Sequence, residues 1–328
     1  MDGVGNHTVC FSLNAKARAA AMSEEIVRIG DTPLSISTYS VESKPTKMNQ
    51  AGTLEIIFCL KGSVRFTYAY EDFGLQAGEF IAVDKDAYYL YKGKDNLCVS
   101  FIIDLMQYEE KYPYIKDMLF VCEGLSEGTT AYPQYLYDRL KGLLISALKE
   151  ITEKRRTEVI ERITEHVVDL FVSHFDIAFF HYGSQDIDSQ ILERLNKINS
   201  YCIEHIQDKI QLEDLSDEMG LSKGYISEMM RKYSPGFQSM LMYLRANASE
   251  KYLMDTDLTI VEISELCGFS DPKYYYSAFK RWYLCTPRQF RERFSKSIPR
   301  EIDYLDVKEC SEVIDDMLVE HYKELFLR

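Results

Sequence analysis

The 328-residue chain has no run of about eighteen apolar residues, the least a membrane-spanning helix needs, so no such helix is expected. Its start lacks a basic stretch followed by an apolar one, so no secretory leader is expected and the cytoplasm is the expected location. The cysteines (Cys10, Cys59, Cys98, Cys122, Cys202, Cys267, Cys285 and Cys310) form no Cys-x-x-Cys pair, and none stands beside a histidine at ligand spacing. Reduced, mostly buried thiols fit that scatter. Histidine is missing between His7 and His166. A metal-dependent enzyme holds its ion with clustered His and carboxylate ligands. That stretch offers Glu55, Glu71, Asp72 and Glu79 at strand and turn positions, where carboxylates are usually solvated. His166, His174 and His181, about two helical turns apart, make no metal site either. Neither a cofactor nor catalysis is expected.

Positive charge is short as well. The chain carries 38 Lys and Arg against 52 Asp and Glu, a net −14, opposite to the footprint of a nucleic-acid binder. The deficit is uneven: residues 1–184 carry −7, residues 297–328 carry −5, and residues 185–296 hold 15 basic and 17 acidic side chains for a net −2. A DNA contact made by that near-neutral stretch requires its cations to gather on one face, and its salt-dependent part is modest. With 46% hydrophobic and 27% charged residues, the chain reads as globular and long enough for two sizeable cores.

What is present is a pattern written twice. Aligned on Gly220 and Gly268, 48 residues apart, Leu212 matches Ile260, Leu215 matches Ile263, Ser216 matches Ser264, and Leu221-Ser222 matches Phe269-Ser270. Pro272 is inserted before Tyr225 pairs with Tyr274. Each copy is a short amphipathic helix, a glycine, an apolar residue, a serine and a second helix, which is how a helix-turn-helix is written. The glycines supply the left-handed turn. Ser222 and Ser270 are candidate N-caps, Pro272 suits a first turn, and Thr259 with Glu262 forms a capping box. A helical spacer, 237–254, joins the two copies.

Gly268-Phe269-Ser270-Asp271, Tyr274, Phe279-Lys280, Thr286-Pro287, Arg291 and Arg245 give residues 190 to 295, about a third of the chain, a specific resemblance to the DNA-binding domain of the AraC/XylS family of bacterial transcription regulators. The resemblance implies that the second helix of each unit enters a major groove of double-stranded DNA, the two about 34 Å apart. Lys223, Gly224, Ser227, Glu228, Arg231 and Lys232 then face outward from the first, and Lys273, Tyr276, Ser277, Lys280 and Arg281 from the second. Tyr225, Ile226, Met229, Met230, Tyr275, Ala278 and Phe279 fit the core. Three departures stand out. Glu228 and Ser277 occupy positions where related proteins often carry arginine, Leu284 stands where a glycine is usual, and the Ser234-Pro235-Gly236 loop is one residue short.

Upstream, 34–41, 53–60, 63–70, 80–84, 88–91 and 97–103 read as strands, with Lys61-Gly62 as a tight hairpin and Ala77-Gly78-Glu79 as a turn. Short, regular strands suggest a small barrel or sandwich. The order of strand, Leu60-Lys61-Gly62, strand, Leu75-Gln76-Ala77-Gly78-Glu79-Phe80-Ile81 resembles the cupin-type sensor domain that often precedes such DNA-binding domains, which implies a small-molecule effector. The aromatics either fill the barrel or line an effector pocket, with Tyr39, Phe58, Phe66, Tyr68 and Tyr89 as candidate contacts. Stripes at 135–154 and 159–171 predict two helices, one to cover the barrel and the other for a two-fold contact between subunits.

The expected class is therefore α+β: a cupin-like small β-barrel with packed helices, then an all-α domain with two helix-turn-helix units. The expected segments are an arm (1–24), an effector-binding barrel (25–104), a helical linker and dimerisation region (105–184), the tandem helix-turn-helix domain (185–296) and an acidic helical extension (297–328). Gly183-Ser184-Gln185-Asp186 marks the boundary between the halves. Ile314, Met317, Leu318, Tyr322 and Leu325 share one face of the extension, which either docks on its own chain or serves a partner. The expected function is an effector-responsive transcription regulator that binds DNA as a homodimer, with RNA polymerase a further partner. The alternative is a family member acting through protein contacts.

Overall fold

A computed structural model describes residues 26–45, 52–68, 71–83, 88–125, 133–153, 156–176, 188–294 and 301–327. The arm 1–24, the 183–186 boundary and His181 lie outside them. Branched and aromatic residues in alternation build eight strands: β1 (Val27–Arg28), β2 (Leu34–Pro45), β3 (Thr53–Tyr68), β4 (Glu71–Gln76), β5 (Phe80–Val83), β6 (Tyr88–Asp104), β7 (Glu123–Gly124) and β8 (Glu301–Tyr304). They form one antiparallel sheet in the order β1-β2-β6-β3-β5-β7, with β4 added to β3 and β8 added to β2.

The period of two sorts the side chains of this sheet into two cores. Leu54, Ile56, Phe58 and Leu60 of β3 face a pair of helices, α1 (Gln134–Glu153) and α2 (Thr157–His174). Ile57, Cys59, Val64 and Phe66 face the other way, together with Tyr39, Val41, Leu75, Ile81 and Cys98. Every member of that second core comes from the strands except Leu125. Its burial therefore comes from the sheet curling on itself, as in a small barrel.

The Lys61-Gly62 hairpin is not formed. β3 continues through it, because β6 also continues opposite, and both absorb the turn residues as bulges between Cys59 and Val64. Gly62 (φ 67°) sits where a Cβ would lie 2.1 Å from the Lys94 carbonyl oxygen. The glycine thus marks a close approach of two strands, not a reversal. The Gly78 turn is present, with its glycine at φ 86°.

The helical half follows as α3 (Ser189–Glu204), α4 (Leu212–Met219), α5 (Lys223–Tyr233), α6 (Phe237–Asp255), α7 (Ile260–Leu266), α8 (Pro272–Tyr283) and α9 (Pro287–Phe294). Leu192 of α3 leans on the sheet-side core, whereas Leu195, Ile198 and Cys202 enter the core of α4, α5 and the start of α6. Leu119 enters that same core from the N-terminal half, and Asn199 Nδ2 donates to the Asp117 carbonyl oxygen at 2.7 Å.

The chain then returns. β8 pairs with β2, Tyr304 opposite Tyr39 and Ile302 opposite Val41. The last helix, α10 (Ser311–Leu327), lays Ile314 and Met317 into the sheet-side core against α1. Lys141 reaches Glu324 at 3.3 Å, and Lys149 pairs with Asp315. The helix stripe assigned to a two-fold contact is consequently consumed within one chain. Leu140, Leu144 and Leu148 of α1 and Ile160, Val167 and Phe171 of α2 are all buried, because the sheet covers one side of the pair and α10 covers α1 on another.

Candidate nucleic-acid interface

In the first unit, Gly220 ends α4 in the left-handed region at φ 65°, and Ser222 caps α5 by accepting from the Tyr225 amide at 3.2 Å. Ser216 Oγ donates to the Leu221 carbonyl oxygen at 2.6 Å, pinning the turn. Gln211 and Asp214 form a capping box at the start of α4 that the sequence reading passed over. In the second unit, the Thr259–Glu262 box is present. The cap of α8 is Asp271, however, not Ser270: its carboxylate accepts from the Lys273 amide at 2.8 Å. The inserted Pro272, at the first turn where no N–H is needed, moves the helix start one residue along. Asp271 and Glu262 lie below the usual carboxylate range, chiefly because each accepts a backbone N–H.

The spacer α6 is buried around its circumference because it serves both cores. Phe237, Leu241 and Leu244 belong to the first unit, and Ala246 and Leu253 to the second. Arg245, 7% exposed, donates from Nε to the Ile206 carbonyl oxygen at 3.1 Å and from Nη2 to that of Asp208 at 2.6 Å. Burial lowers its pKa from the usual guanidinium value. A Cβ on Gly268 (φ 77°) would lie 2.1 Å from the same Ile206 oxygen. Arg245 and Gly268 thereby lock the second turn onto the end of α3.

All ten candidate DNA contacts are exposed: Lys223, Ser227, Glu228, Arg231 and Lys232 on α5, and Lys273, Tyr276, Ser277, Lys280 and Arg281 on α8. Their neighbours Ile226, Met229, Met230, Tyr275, Ala278 and Phe279 are buried. Tyr225 is not a core residue: it is 39% exposed, and Arg194 Nη1 donates to its hydroxyl at 2.6 Å. Charge is sorted by helix. α5 and α8 together carry six Lys and Arg and one acid, whereas α4 and α7 carry six acids and no base. Lys223 pairs with Glu213 at 2.5 Å and Lys273 with Asp271 at 3.3 Å, which ties two cations to the helix starts. Among the described residues Arg231, Lys280 and Arg281 make no ion pair, and Arg281 lies 5.0 Å over the Trp282 ring.

The candidate effector contacts do not form one cluster. Tyr39 and Phe66 are in the curled core, and Phe58 points the opposite way under the helices, as its parity on β3 requires. Tyr68 and Tyr89 stand side by side with Tyr88 and Thr67 in the β3–β6 register, and their side chains lie outside the described residues. The sequence reading missed a polar chain in the curled core, where Ser100 Oγ donates to Glu55 Oε1 at 2.6 Å and lies 2.9 Å from the Tyr39 hydroxyl. Burial raises the Tyr39 pKa, with Cys98 and Glu55 adding to it. A lone Ser or Glu in an alternating strand carries no signal of such pairing.

Residues 215–293 match the family described as a helix-turn-helix domain. The regulatory protein PocR of Salmonella typhimurium is 28% identical over 105 residues, 32% of this chain and 35% of PocR. This chain thus spans about a third of that relative's length. The C-terminal domain of the two-component response regulator yesN from Fusobacterium nucleatum is 34% identical, covering 30% of this chain and 96% of that one, with a TM-score of 0.28. Unsaturated fatty acid bound ToxT from Vibrio cholerae is 14% identical, covering 84% of this chain and 100% of that one, with a TM-score of 0.41. Residues 215–293 therefore form a helix-turn-helix domain of the AraC type.

Proposed function

We propose that the chain regulates transcription by binding double-stranded DNA through α5 and α8, under the control of a small molecule held by the N-terminal half. The observation that carries this reading is the sorting of charge: in a domain of net −2, six of the cations stand on the two second helices, and their apolar neighbours are buried. Lys280 and Arg281, at the end of α8, meet phosphates, and Ser227, Glu228, Tyr276 and Ser277 face base edges. Glu228, exposed where related proteins often carry arginine, leaves α5 without an arginine–guanine pair. Two copies of the chain read paired half-sites.

The test is a salt titration of binding to DNA from upstream of the chain's own gene, followed by fluorescence anisotropy. Lys280→Ala combined with Arg281→Ala should weaken binding at every sequence tried and flatten the slope of log K against log salt by roughly two. An unchanged slope and affinity would place α8 outside the groove.

A further inference from the structure

A cleft of about 600 Å³ opens on the helix side of the sheet, away from the curled core. Its walls come from β1 and β2, the end of α1, the start of α2 and residues 304–307 of the returning tail. That volume falls within the range of small-molecule sites. The curled core offers less: Tyr39, Val41, Ile57, Phe66, Leu75 and Cys98 fill it, none more than 1% exposed.

We infer that this cleft binds a small apolar molecule bearing one anionic group, with the tail as one wall. The inference rests on the reading that the N-terminal half holds an effector, and gives that effector a seat and a chemistry. Ile36, Ile151 and Ile160, all at least 96% buried, make the apolar wall. Thr38 also lines the cleft, is 4% exposed, and has a hydroxyl with no hydrogen-bond partner among the described residues. That hydroxyl is reachable from the cleft, so a ligand atom or water seated there can pair with it. Arg28 stands at the mouth and makes no ion pair among the described residues. Thr157 opens α2, an eighteen-residue helix whose N-cap, Arg156, supplies no side-chain acceptor to the first-turn amides. The Arg156 amide is taken by Glu150 and those of Val159 and Ile160 by the Arg156 carbonyl, so the start of α2 adds its dipole to the Arg28 cation, and together they favour an anion. Asp306, the acid of the lining, is engaged by the Lys308 amide at 3.0 Å.

The tail is coupled to the same wall, because the Leu305 amide donates to the Thr38 carbonyl oxygen at 3.0 Å. A molecule seated on Thr38 therefore also holds the segment that follows α9.

Full-length protein is titrated with two dyes, the anionic 1-anilinonaphthalene-8-sulfonate and its uncharged relative N-phenyl-1-naphthylamine, followed by fluorescence. Saturable binding of both at one site per chain is expected. Thr157→Trp and Val307→Trp, which fill the cleft from opposite walls, should each weaken both dyes about tenfold or more, and either one that folds suffices. Arg28→Gln should weaken the anionic dye by about tenfold and the neutral one less than about twofold, the size of one charge-assisted contact. Bound dye should also slow exchange of the Leu305 amide. Dye affinity unchanged in the filled variants would overturn the site, an anionic dye indifferent to Arg28→Gln would overturn its charge, and unaltered Leu305 exchange would overturn the role of the tail. None of these readouts uses DNA, so failure of the cleft and failure of the DNA-binding reading are separable.

Discussion

Gly220 and Gly268 look interchangeable in the repeat, yet they stand in different surroundings. A Cβ on Gly220 meets nothing within 4 Å, whereas one on Gly268 would run into the Ile206 carbonyl that Arg245 also holds. Gly220→Ala should cost only the left-handed backbone penalty, about 1 kcal/mol. Gly268→Ala adds a backbone collision and should cost about 3 kcal/mol or more. Urea unfolding of the two variants checks the difference, and equal costs would refute the account. Leu284 shows the converse. It adopts φ 50° and is 64% exposed, so its side chain contributes little packing while its backbone is strained. Leu284→Gly should stabilise the domain by about 1 kcal/mol, measured the same way. The repeat revealed that glycine belonged at 220 and 268. What each glycine meets depended on chain brought in from elsewhere, so it could not be read from the turn alone.

At the scale of single helices, the sequence placed starts and faces well and the outcome of the Pro272 insertion poorly. Asp271 and Ser270 are both good caps, and only the fixed φ of Pro272 decides between them. The cap is also a pH sensor of the helix start. Asp271 has a folded pKa below its unfolded one, so its contribution is present above the unfolded value and lost as pH falls through the folded one. Acid titration should therefore speed exchange of the Lys273 amide, and Asp271→Asn should remove that step while keeping the helix. On α5, Glu228 is exposed amid Lys223, Arg231 and Lys232. Glu228→Arg should raise DNA affinity about tenfold, the scale of one phosphate or guanine contact. A drop in anisotropy-measured affinity would show instead that Glu228 makes a favourable base contact.

Across the whole molecule, the chain crosses from sheet to helices through α3 and comes back through β8 and α10. Removing residues 297–328 should strip Cys310, Ile314 and Met317 from the sheet-side core. About 3–6 kcal/mol of stability should go with Ile314 and Met317 alone, at roughly 1.5–3 kcal/mol for each large apolar side chain buried. Circular dichroism melts should show that loss in the sheet transition and leave the α4–α9 transition near its place. Unchanged sheet melting would mean that the tail is a passenger. Helix spacing, turn glycines and caps are local, since they need only neighbours within a few residues, and so the repeat and its family could be read from the chain alone. Which strands run straight through Gly62, which face Phe58 takes, and what lies beneath α10 depend on partners tens to hundreds of residues away. Those choices are made by register and by competition for buried surface, and only the folded chain decides them.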